Sequence, residues 1–543
     1  MIRYLHPVKI SLLLISIALT TSCGGEKPQI STIDPQFAIT GQNLTITGEN
    51  FGSEQNESFV TIGGVSPTIS SYIEWTNTKI ILRIPDFGES GLIYVHRQNQ
   101  KSNPVLFSTL GSMPSPPETQ TSYAPVIRQI RPASASIGQL IIIQGSGFGN
   151  SRNESAVFFN WAAERPHTIP AEASENQLIE ARDYNSAYST WNEREIHVQV
   201  CDGAASGAVQ VSTPRGRSNT AVFEVNPKPG IKTIRDKRTY SLSYSVDIQT
   251  QNASPPNSIY LNCPVPASTA SQLNKEILAG SSKPFVDNHH GIALFRLTDL
   301  KTGDNRRISV SYLVDVYNTE TTVQPSLINI GAKPSTPNTW TQASAAVPSD
   351  NPGIKALAAK FTGEEQNPYL KARSIYKGIL EEFTILAEKP DTPIQQTLLE
   401  KELNPYTAAI LYCALCRAAN IPAIPVAGIL CAKTGSATPH YWVEFWIDGF
   451  GAVPVDITLG AGVADETFKL RDDHETYYFG NIDNQHLIFS YGETNLSQID
   501  ARGRVASREL NYALQNIWEE ASGNIEAYSS YWSDINITGI YSN

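Results

Sequence analysis

The sequence predicts a multidomain protein in which tandem all-β sandwiches precede an α+β domain. Two similar segments, beginning at Pro28 and Pro125, lie 97 positions apart, which indicates a duplicated module. Both contain short runs rich in β-branched residues that are followed by glycines, as in LTITG and LIIIQG. Helical patterns appear only in the second half, where they precede apolar β runs. The chain of 543 residues is long enough for several domains.

The duplication is supported by at least eleven identities at a constant offset between Pro28 and Asn56. Later the offset grows, because Ser102 matches Ser218 at a distance of 116 positions. The second copy therefore holds about 19 additional residues, which we place in the region from Trp161 to Trp191. The strand and turn pattern predicts two sandwiches, over 28–110 and 125–226.

The opening P-x-I-x-x-I-x-P and the turn G-x-x-F-G of both copies resemble IPT/TIG immunoglobulin-like domains. This resemblance implies a fold more than a function. One interpretation is a pair of spacers that lift the rest of the chain off a membrane. The alternative is a glycan-binding or protein-binding module that uses the tryptophans of the Trp161–Trp191 region, because exposed aromatic residues favour interfaces.

The first 22 residues have the layout of a secretory signal peptide. Arg3 and Lys9 precede an apolar run from Ile10 to Leu19, and small residues lead into Cys23. The layout resembles a bacterial lipoprotein signal, which implies that Cys23 carries lipid (palmitate) and anchors the protein to the membrane. The expected location is then the bacterial cell envelope, on the periplasmic or surface face of the outer membrane. Secretion without lipid is the alternative.

Composition excludes some classes of function. The net charge of −11 and the lack of a Lys/Arg cluster argue against a nucleic-acid partner. Besides Cys23, the five cysteines cannot all pair, so disulfides do not form the scaffold. Cys413 and Cys416 have C-x-x-C spacing, but no second such pair or histidine cluster accompanies them. The sequence therefore predicts no metal site and no cofactor.

The distal half begins with a further β region over 231–325, for which runs such as RTYSLSYSVDI predict a third sandwich. A linker rich in Pro, Ser, Thr and Asn covers 331–353. Two helices then begin with the same tripeptide, at Asn367 and at Asn404, because Asn is a favoured N-cap and Pro fits the first helical position. We expect an α+β domain over 351–480 and a C-terminal extension, 481–543, packed on it.

The segment HYWVEFWIDGFGAVPVDIT predicts a β-hairpin with the two-residue loop Asp448-Gly449. This loop sets His440 opposite Ile457, and a one-residue shift by a bulge sets it opposite Asp456. A histidine oriented by a carboxylate is the base half of a nucleophilic triad. Trp442 and Glu444 share the face of His440 and form a candidate cleft.

Four stretches resemble the transglutaminase-like domain, a relative of papain-type cysteine proteases. They are ALCRAANIPA (414–423), PVAG (425–428), HYWVEFWIDG (440–449) and PVDIT (454–458). The tail FGNIDNQHLIF, 479–489, resembles the segment that follows the Asp in bacterial members. The resemblance implies that His440 and Asp456 are the catalytic His and Asp of the family.

The family's nucleophile is a cysteine twelve residues before the Arg that corresponds to Arg417, so its position is taken by Pro405. Cys413 lies about 12 Å further along the helix, too far for a nucleophile that must touch its base. We interpret Cys413 and Cys416 as buried apolar side chains. We interpret Thr407, the nearest hydroxyl, as a packing or capping residue rather than a nucleophile.

Three functional hypotheses follow. The favoured one is a membrane-anchored lipoprotein without catalysis, a pseudoenzyme that binds a peptide, the cell wall or another envelope protein. The second is an active amidase or transamidase that uses His440 and Asp456 with a relocated nucleophile. The third is a surface protein that binds glycans through its IPT/TIG domains.

Overall fold

The computed structural model describes residues 27–542 apart from several gaps, of which the longest are 85–90, 110–123 and 164–177. The predicted signal segment and Cys23 lie outside the described residues. Within the part that is described, no helix combines the length and the apolar character needed to cross a membrane. The chain divides into two compact units, residues 1–120 and residues 121–543.

The first unit contains the first repeat. Its described strands are β1 (Gln29–Asp34), β2 (Phe37–Ala38), β3 (Asn43–Glu49), β4 (Phe59–Ile62), β5 (Tyr72–Trp75), β6 (Lys79–Arg83), β7 (Gly91–Arg97), β8 (Gln100–Lys101) and β9 (Val105–Thr109). They form two sheets, with the orders β1-β3-β6-β5 and β2-β9-β7-β4, and β8 pairs with β7. Strand alternation buries one face of each sheet, so apolar residues such as Ile46 and Phe107 fill the core between them.

The second repeat opens the second unit. Its described strands are β10 (Val126–Arg131), β11 (Ser134–Ala135), β12 (Leu140–Ser146), β13 (Ala156–Trp161), β14 (Leu178–Glu180), β15 (Tyr188–Trp191), β16 (Glu195–Gln199), β17 (Ala204–Thr213), β18 (Gly216–Arg217) and β19 (Ala221–Val225). The sheet orders are β10-β12-β16-β15 and β11-β19-β17-β13-β14, and β18 pairs with β17. The two repeats thus have corresponding sheets, and β14 is an added strand of the second.

Two matched contacts bracket the added residues of the second repeat. The hydroxyl of Tyr72 accepts a hydrogen bond from the backbone N–H of Val60, and Tyr188 accepts one from Val157, each at 2.8 Å. The offset is 97 at the valines and 116 at the tyrosines. The insertion therefore lies between Val157 and Tyr188, and its residues 164–177 are outside the described ones.

The third β region, predicted to be a sandwich, is hydrogen-bonded as one continuous sheet. Its strands are β20 (Gly230–Pro264), β21 (Gln272–Leu278), β22 (Val286–His289), β23 (Ile292–Thr298) and β24 (Asn305–Val323). In the described part, these five strands, in the order β21-β24-β20-β23-β22, and three C-terminal strands together form one eight-stranded sheet. Because the long strand β20 pairs with β24 in its first half and with β23 in its second, both halves contribute to one core.

The α+β domain follows. Its helices are α1 (Pro352–Thr362), α2 (Pro368–Glu382), α3 (Ile394–Glu400), α4 (Pro405–Ala418), α5 (Ile457–Gly460) and α6 (His474–Tyr477). The remaining strands are β25 (Thr384–Ile385), β26 (Glu402–Leu403), β27 (Ala423–Cys431), β28 (Ala437–Ile447), β29 (Gly451–Val455), β30 (His486–Tyr491), β31 (Arg504–Ala506), β32 (Glu519–Trp532) and β33 (Asn536–Ser542). The main sheet has the order β29-β28-β27-β30.

The C-terminal extension is shared between two sheets. Strand β30 completes the sheet of the α+β domain, whereas β31, β32 and β33 extend the sheet of β20. The sequence predicts packing of 481–543 on the α+β domain; in the structure, its last three strands also pair with the preceding β region. The chain returns to the β region that precedes the helices, because β20 offers an edge with which β32 and β33 can pair.

Helix α4 lies at the centre of the α+β domain and is buried along almost its whole length. It packs on one face of β28 through Val443 and Phe445. On the other face of that strand, Trp446 joins the core of the second repeat. The sheet is therefore covered on both faces, and the second repeat and the α+β domain belong to one unit.

Candidate functional site

The first turn of α4 has a complete N-terminal cap. The side-chain oxygen of Asn404 accepts a hydrogen bond from the backbone N–H of Thr407 at 2.7 Å. In return, the hydroxyl of Thr407 accepts one from the backbone N–H of Asn404 at 2.8 Å. Pro405 occupies the first helical position, where the N–H that proline lacks would have no partner within the helix. Position 405 thus favours the helix and supplies neither a thiol nor a hydroxyl.

The two cysteines of α4 are poor nucleophiles. Cys413 and Cys416 are fully buried. Burial raises the pKa of the Cys413 thiol to about 12, although Arg417 acts in the opposite direction. Burial also raises the pKa of Cys416 well above its ordinary value. Among the described residues, no hydrogen bond joins a cysteine sulfur to His440.

The hairpin of β28 and β29 has a longer loop than the sequence predicts. Ile447 pairs with Gly451, so the loop has three residues, 448–450, instead of two. The side chain of Phe450 is buried in the helix-side core, which holds the additional residue in place. This register corrects the predicted pairing of His440 with Ile457 or Asp456. His440 and Asp456 instead lie on the same face of the hairpin. No bulge is needed for this, because residues two apart on a strand share a face.

His440 and Asp456 form a hydrogen-bonded pair in this register. The Nε2 atom of His440 lies 2.6 Å from Oδ2 of Asp456. Asp456 is also the N-cap of α5, where its Oδ1 accepts from the backbone N–H of Leu459 at 2.9 Å. The next residue of β28, Tyr441, packs its ring 5.3 Å from that of Tyr406. The start of β28 therefore lies beside the first turn of α4.

A second histidine, which the sequence analysis missed, joins this pair. His486, the first residue of β30, places its Nε2 3.0 Å from the same Oδ2 of Asp456. Its Nδ1 lies 2.9 Å from Oδ1 of Asp483, and the hydroxyl of Tyr478 donates to the other Asp483 oxygen at 3.0 Å. One feature of the sequence could have indicated His486. The stretch FGNIDNQHLIF, 479–489, contains a D-x-x-H spacing just before an apolar strand.

Mutual charge stabilises the cluster. Burial would raise the pKa of Asp456, but His440 and His486 hold it below its ordinary range. Burial likewise acts to raise the pKa of Asp483, and His486 outweighs it. Burial would lower the pKa of His486, but Asp483 and Asp456 raise it to about 9. The imidazole of His486 therefore stays protonated at neutral pH between two carboxylates.

Trp442 does not line a cleft. It is fully buried, and its ring lies 5.3 Å from that of His486 at an angle of 83°. Its neighbours Val426, Ile482 and Ile488 form a small apolar cluster around it. The prediction that Trp442 lines a cleft is thus wrong, because side chains of β27, of β30 and of the segment before β30 pack around it.

Glu444 does line a cavity, of about 50 Å³, between the second repeat, the β20 sheet and the α+β domain. Burial raises the pKa of Glu444 to about 7, although a hydrogen bond from the Tyr491 hydroxyl acts in the opposite direction. Lys232 and Asp202 also line the cavity and form an ion pair of 2.7 Å. The cavity is far smaller than a pocket for an organic ligand.

The tryptophans proposed as a contact surface point inwards. Trp161 is buried, donates from Nε1 to the carbonyl of Ala270 at 3.0 Å and meets the ring of Tyr317 edge-on. Trp191 donates to the carbonyl of Phe148 at 3.0 Å, as Trp75 does to Phe51 in the first repeat. Trp161 therefore joins the second repeat to the β20 sheet, and Trp191 stabilises the repeat itself.

The fold and the comparisons together define the class of protein. Residues 28–109 and 125–225 match the IPT/TIG domain, and residues 355–457 match the transglutaminase-like superfamily. The chain thus carries two IPT/TIG domains and a transglutaminase-like domain, as their sequence resemblances predicted. The match to the second family ends one residue after Asp456 and leaves out Asp483 and His486.

Several solved structures are similar to this chain. A candidate cysteine protease from Cytophaga hutchinsonii shares 17% identity with a TM-score of 0.36, over 57% of this chain and 93% of that one. The surface glycan-binding protein PbSGBP-B from Prevotella bryantii shares 11% identity with a TM-score of 0.16, over 54% and 92%. No curated protein matches the chain. Similarities at this level carry no argument about function.

Proposed function

We propose that this protein is a non-catalytic, lipid-anchored lipoprotein of the bacterial envelope, whose transglutaminase-like domain binds or scaffolds a peptide, the cell wall or an envelope protein. The observation that carries the proposal is Pro405 in the first turn of α4. It occupies the position of the family's nucleophile and begins a fully capped helix. Acyl transfer of the family's type has no nucleophile there from which to start.

The neighbouring side chains support the same conclusion. Cys413 and Cys416 are buried, and their raised pKa values keep them as neutral thiols. The hydroxyl of Thr407 is engaged in the cap of its own helix through Asn404. An active enzyme with a relocated nucleophile therefore gains no support from the residues nearest to the expected position.

Glycan binding through the second repeat also lacks support from the residues named for it. Trp161 and Trp191 both pack inwards within the second unit. A glycan partner stays a prediction of the sequence, which the binding experiment below includes as a separate outcome.

The catalytic part is tested with the full-length chain and the Pro405→Cys variant. We expect the wild-type chain to show no amide hydrolysis or transamidation of peptide substrates that depends on His440. We expect Pro405→Cys to acquire a thiol that alkylating reagents modify at neutral pH, because a helix N-terminus favours the thiolate. The double variant Pro405→Cys/His440→Gln is the matched control. Turnover by the wild type that His440→Gln abolishes would contradict the proposal.

The binding part is tested by sedimentation with purified cell-wall sacculi and with insoluble polysaccharides. We expect the chain to sediment with sacculi and to stay in solution with polysaccharides. Sedimentation with polysaccharides alone would support the glycan alternative instead. Failure with both materials would leave the envelope-protein partner as the surviving form of the proposal, which crosslinking in intact cells then confirms or excludes.

A further inference from the structure

The side chains of His440, Asp456 and His486 bring the donor atoms of a metal site together. The two Nε2 atoms and a carboxylate oxygen all lie within 4.8 Å of one another, and all three residues are buried. We propose that this cluster binds one divalent transition-metal ion, with zinc as the first choice. The ion fastens β28, the start of α5 and β30 to one another.

The donor set suits such an ion. Two imidazole nitrogens and one carboxylate oxygen are ligands that zinc accepts readily, and they leave a fourth position for water. The three ligands are far apart in the sequence, because Asp456 lies 16 positions from His440 and 30 positions from His486. Only the pairing of β28, β27 and β30 brings the three side chains to one place.

Asp483 supplies the outer support that a metal-ligating histidine needs. Its carboxylate lies 2.9 Å from Nδ1 of His486, so the other ring nitrogen, Nε2, faces the cluster. Tyr478 donates to the same carboxylate and fixes its orientation. A carboxylate–histidine pair of this kind sets both the tautomer and the ring position for metal binding.

Charge also favours a divalent cation. The side chain of Asp456 is fully buried and that of Asp483 is 15% exposed, so two carboxylates lie close to the cluster with little water to screen them. A divalent ion on two neutral imidazoles balances both carboxylates, which avoids an uncompensated buried charge. Each histidine that holds a proton on Nε2 releases it to solvent when the metal binds.

The two nitrogen–oxygen separations require only a small adjustment. Ligand atoms about 2.1 Å from a tetrahedral ion lie about 3.4 Å from one another. The two nitrogen–oxygen separations are now 2.6 and 3.0 Å, so each must lengthen by less than about 1 Å. The ring of His440 can make this movement, because among the described residues its only hydrogen-bond partner is Asp456.

The test uses the tag-free full-length chain, since a histidine tag would bind zinc itself. After incubation with zinc sulfate and exhaustive dialysis, we expect about one equivalent of zinc by elemental analysis and a higher melting temperature in added zinc. His440→Gln and His486→Gln should lose the bound zinc. Asp483→Asn should retain the fold and weaken zinc affinity about 10-fold to 100-fold. His197→Gln, in the second repeat, is the matched control and should bind as the wild type does.

The proposal fails if the wild-type chain retains no zinc, or if His440→Gln and His486→Gln bind as much as the wild type. The second result would assign the zinc to adventitious surface sites. Circular dichroism verifies that each variant is folded. If the two histidine variants do not fold, the wild-type stoichiometry and the affinity of Asp483→Asn decide the question.

Discussion

The Nε2 atom of His486 lies 3.0 Å from the carboxylate oxygen of Asp456 that His440 also contacts. In a simple dyad, the aspartate would orient one imidazole towards a nucleophile. Here the same oxygen serves two imidazoles, and the first helical position of α4 is Pro405. The cluster is therefore held together by contacts among its own side chains, which do not require a nucleophile.

Cys413 and Cys416 should resist alkylation in the folded protein. A pKa of about 12 for Cys413, against an ordinary value of 9.0, lowers the thiolate fraction at neutral pH by about three orders of magnitude. Mass spectrometry after brief treatment with iodoacetamide at about pH 7 should find both residues unmodified, and modified after unfolding in urea. Rapid labelling of Cys413 in the native chain would contradict this, and would favour an enzyme with a relocated nucleophile.

Glu444→Gln should stabilise the protein at neutral and alkaline pH. The pKa of Glu444 rises from 4.5 to about 7 on folding, so the unfolded state ionises first as the pH increases. Stability therefore falls between these two values, and the loss is complete above about pH 7, where it amounts to about 3 kcal/mol. The glutamine removes this loss while keeping an acceptor for the Tyr491 hydroxyl.

The measurement for Glu444 is urea denaturation of both proteins between about pH 4 and pH 8. The charged groups that face Glu444, Asp202 and Lys232, are unchanged in the variant. Glu466→Gln, on an exposed turn, is the control and should leave the pH profile unaltered. A constant stability difference between wild type and Glu444→Gln across this range would refute the prediction.

Asn404→Ala should destabilise the second unit more than Pro405→Ala does. The alanine at 404 removes the acceptor for the Thr407 N–H, and loss of such a cap costs about 0.5–2 kcal/mol. The alanine at 405 removes no hydrogen bond and changes mainly the freedom of the unfolded chain, by about 1 kcal/mol or less. Urea denaturation compares the two. If both substitutions lower the free energy of unfolding equally, the cap does not stabilise this helix start more than the proline does.

Trp161→Ala should reduce stability without affecting any binding to polysaccharide. The ring is buried against Tyr317, and truncation of a buried tryptophan costs about 3–5 kcal/mol. Thermal denaturation should show a lower melting temperature for Trp161→Ala than for the wild type. Val222→Ala, at an 85% exposed position of the same repeat, should leave the melting temperature unchanged. If Trp161→Ala keeps full stability and loses a polysaccharide ligand, the tryptophan belongs to a contact surface after all.

Local patterns in the sequence determine much of this protein. The repeated prolines and glycines predict both IPT/TIG domains, and Asn-Pro pairs mark where α2 and α4 begin. These features are readable because caps, turns and strand alternation depend on residues a few positions apart. The sequence also shows a proline at position 405, where the resemblance places the family's cysteine, because the identity of a residue is visible without coordinates.

The tertiary structure alone decided what surrounds His440. The three-residue loop before Gly451 sets which face His440 and Asp456 share, and β30 brings His486 to the same oxygen. Trp161, which the sequence suggests as a surface residue, lies buried between the second repeat and the β20 sheet. Such relationships depend on how distant strands pair and which surfaces they cover, and no short-range pattern encodes them.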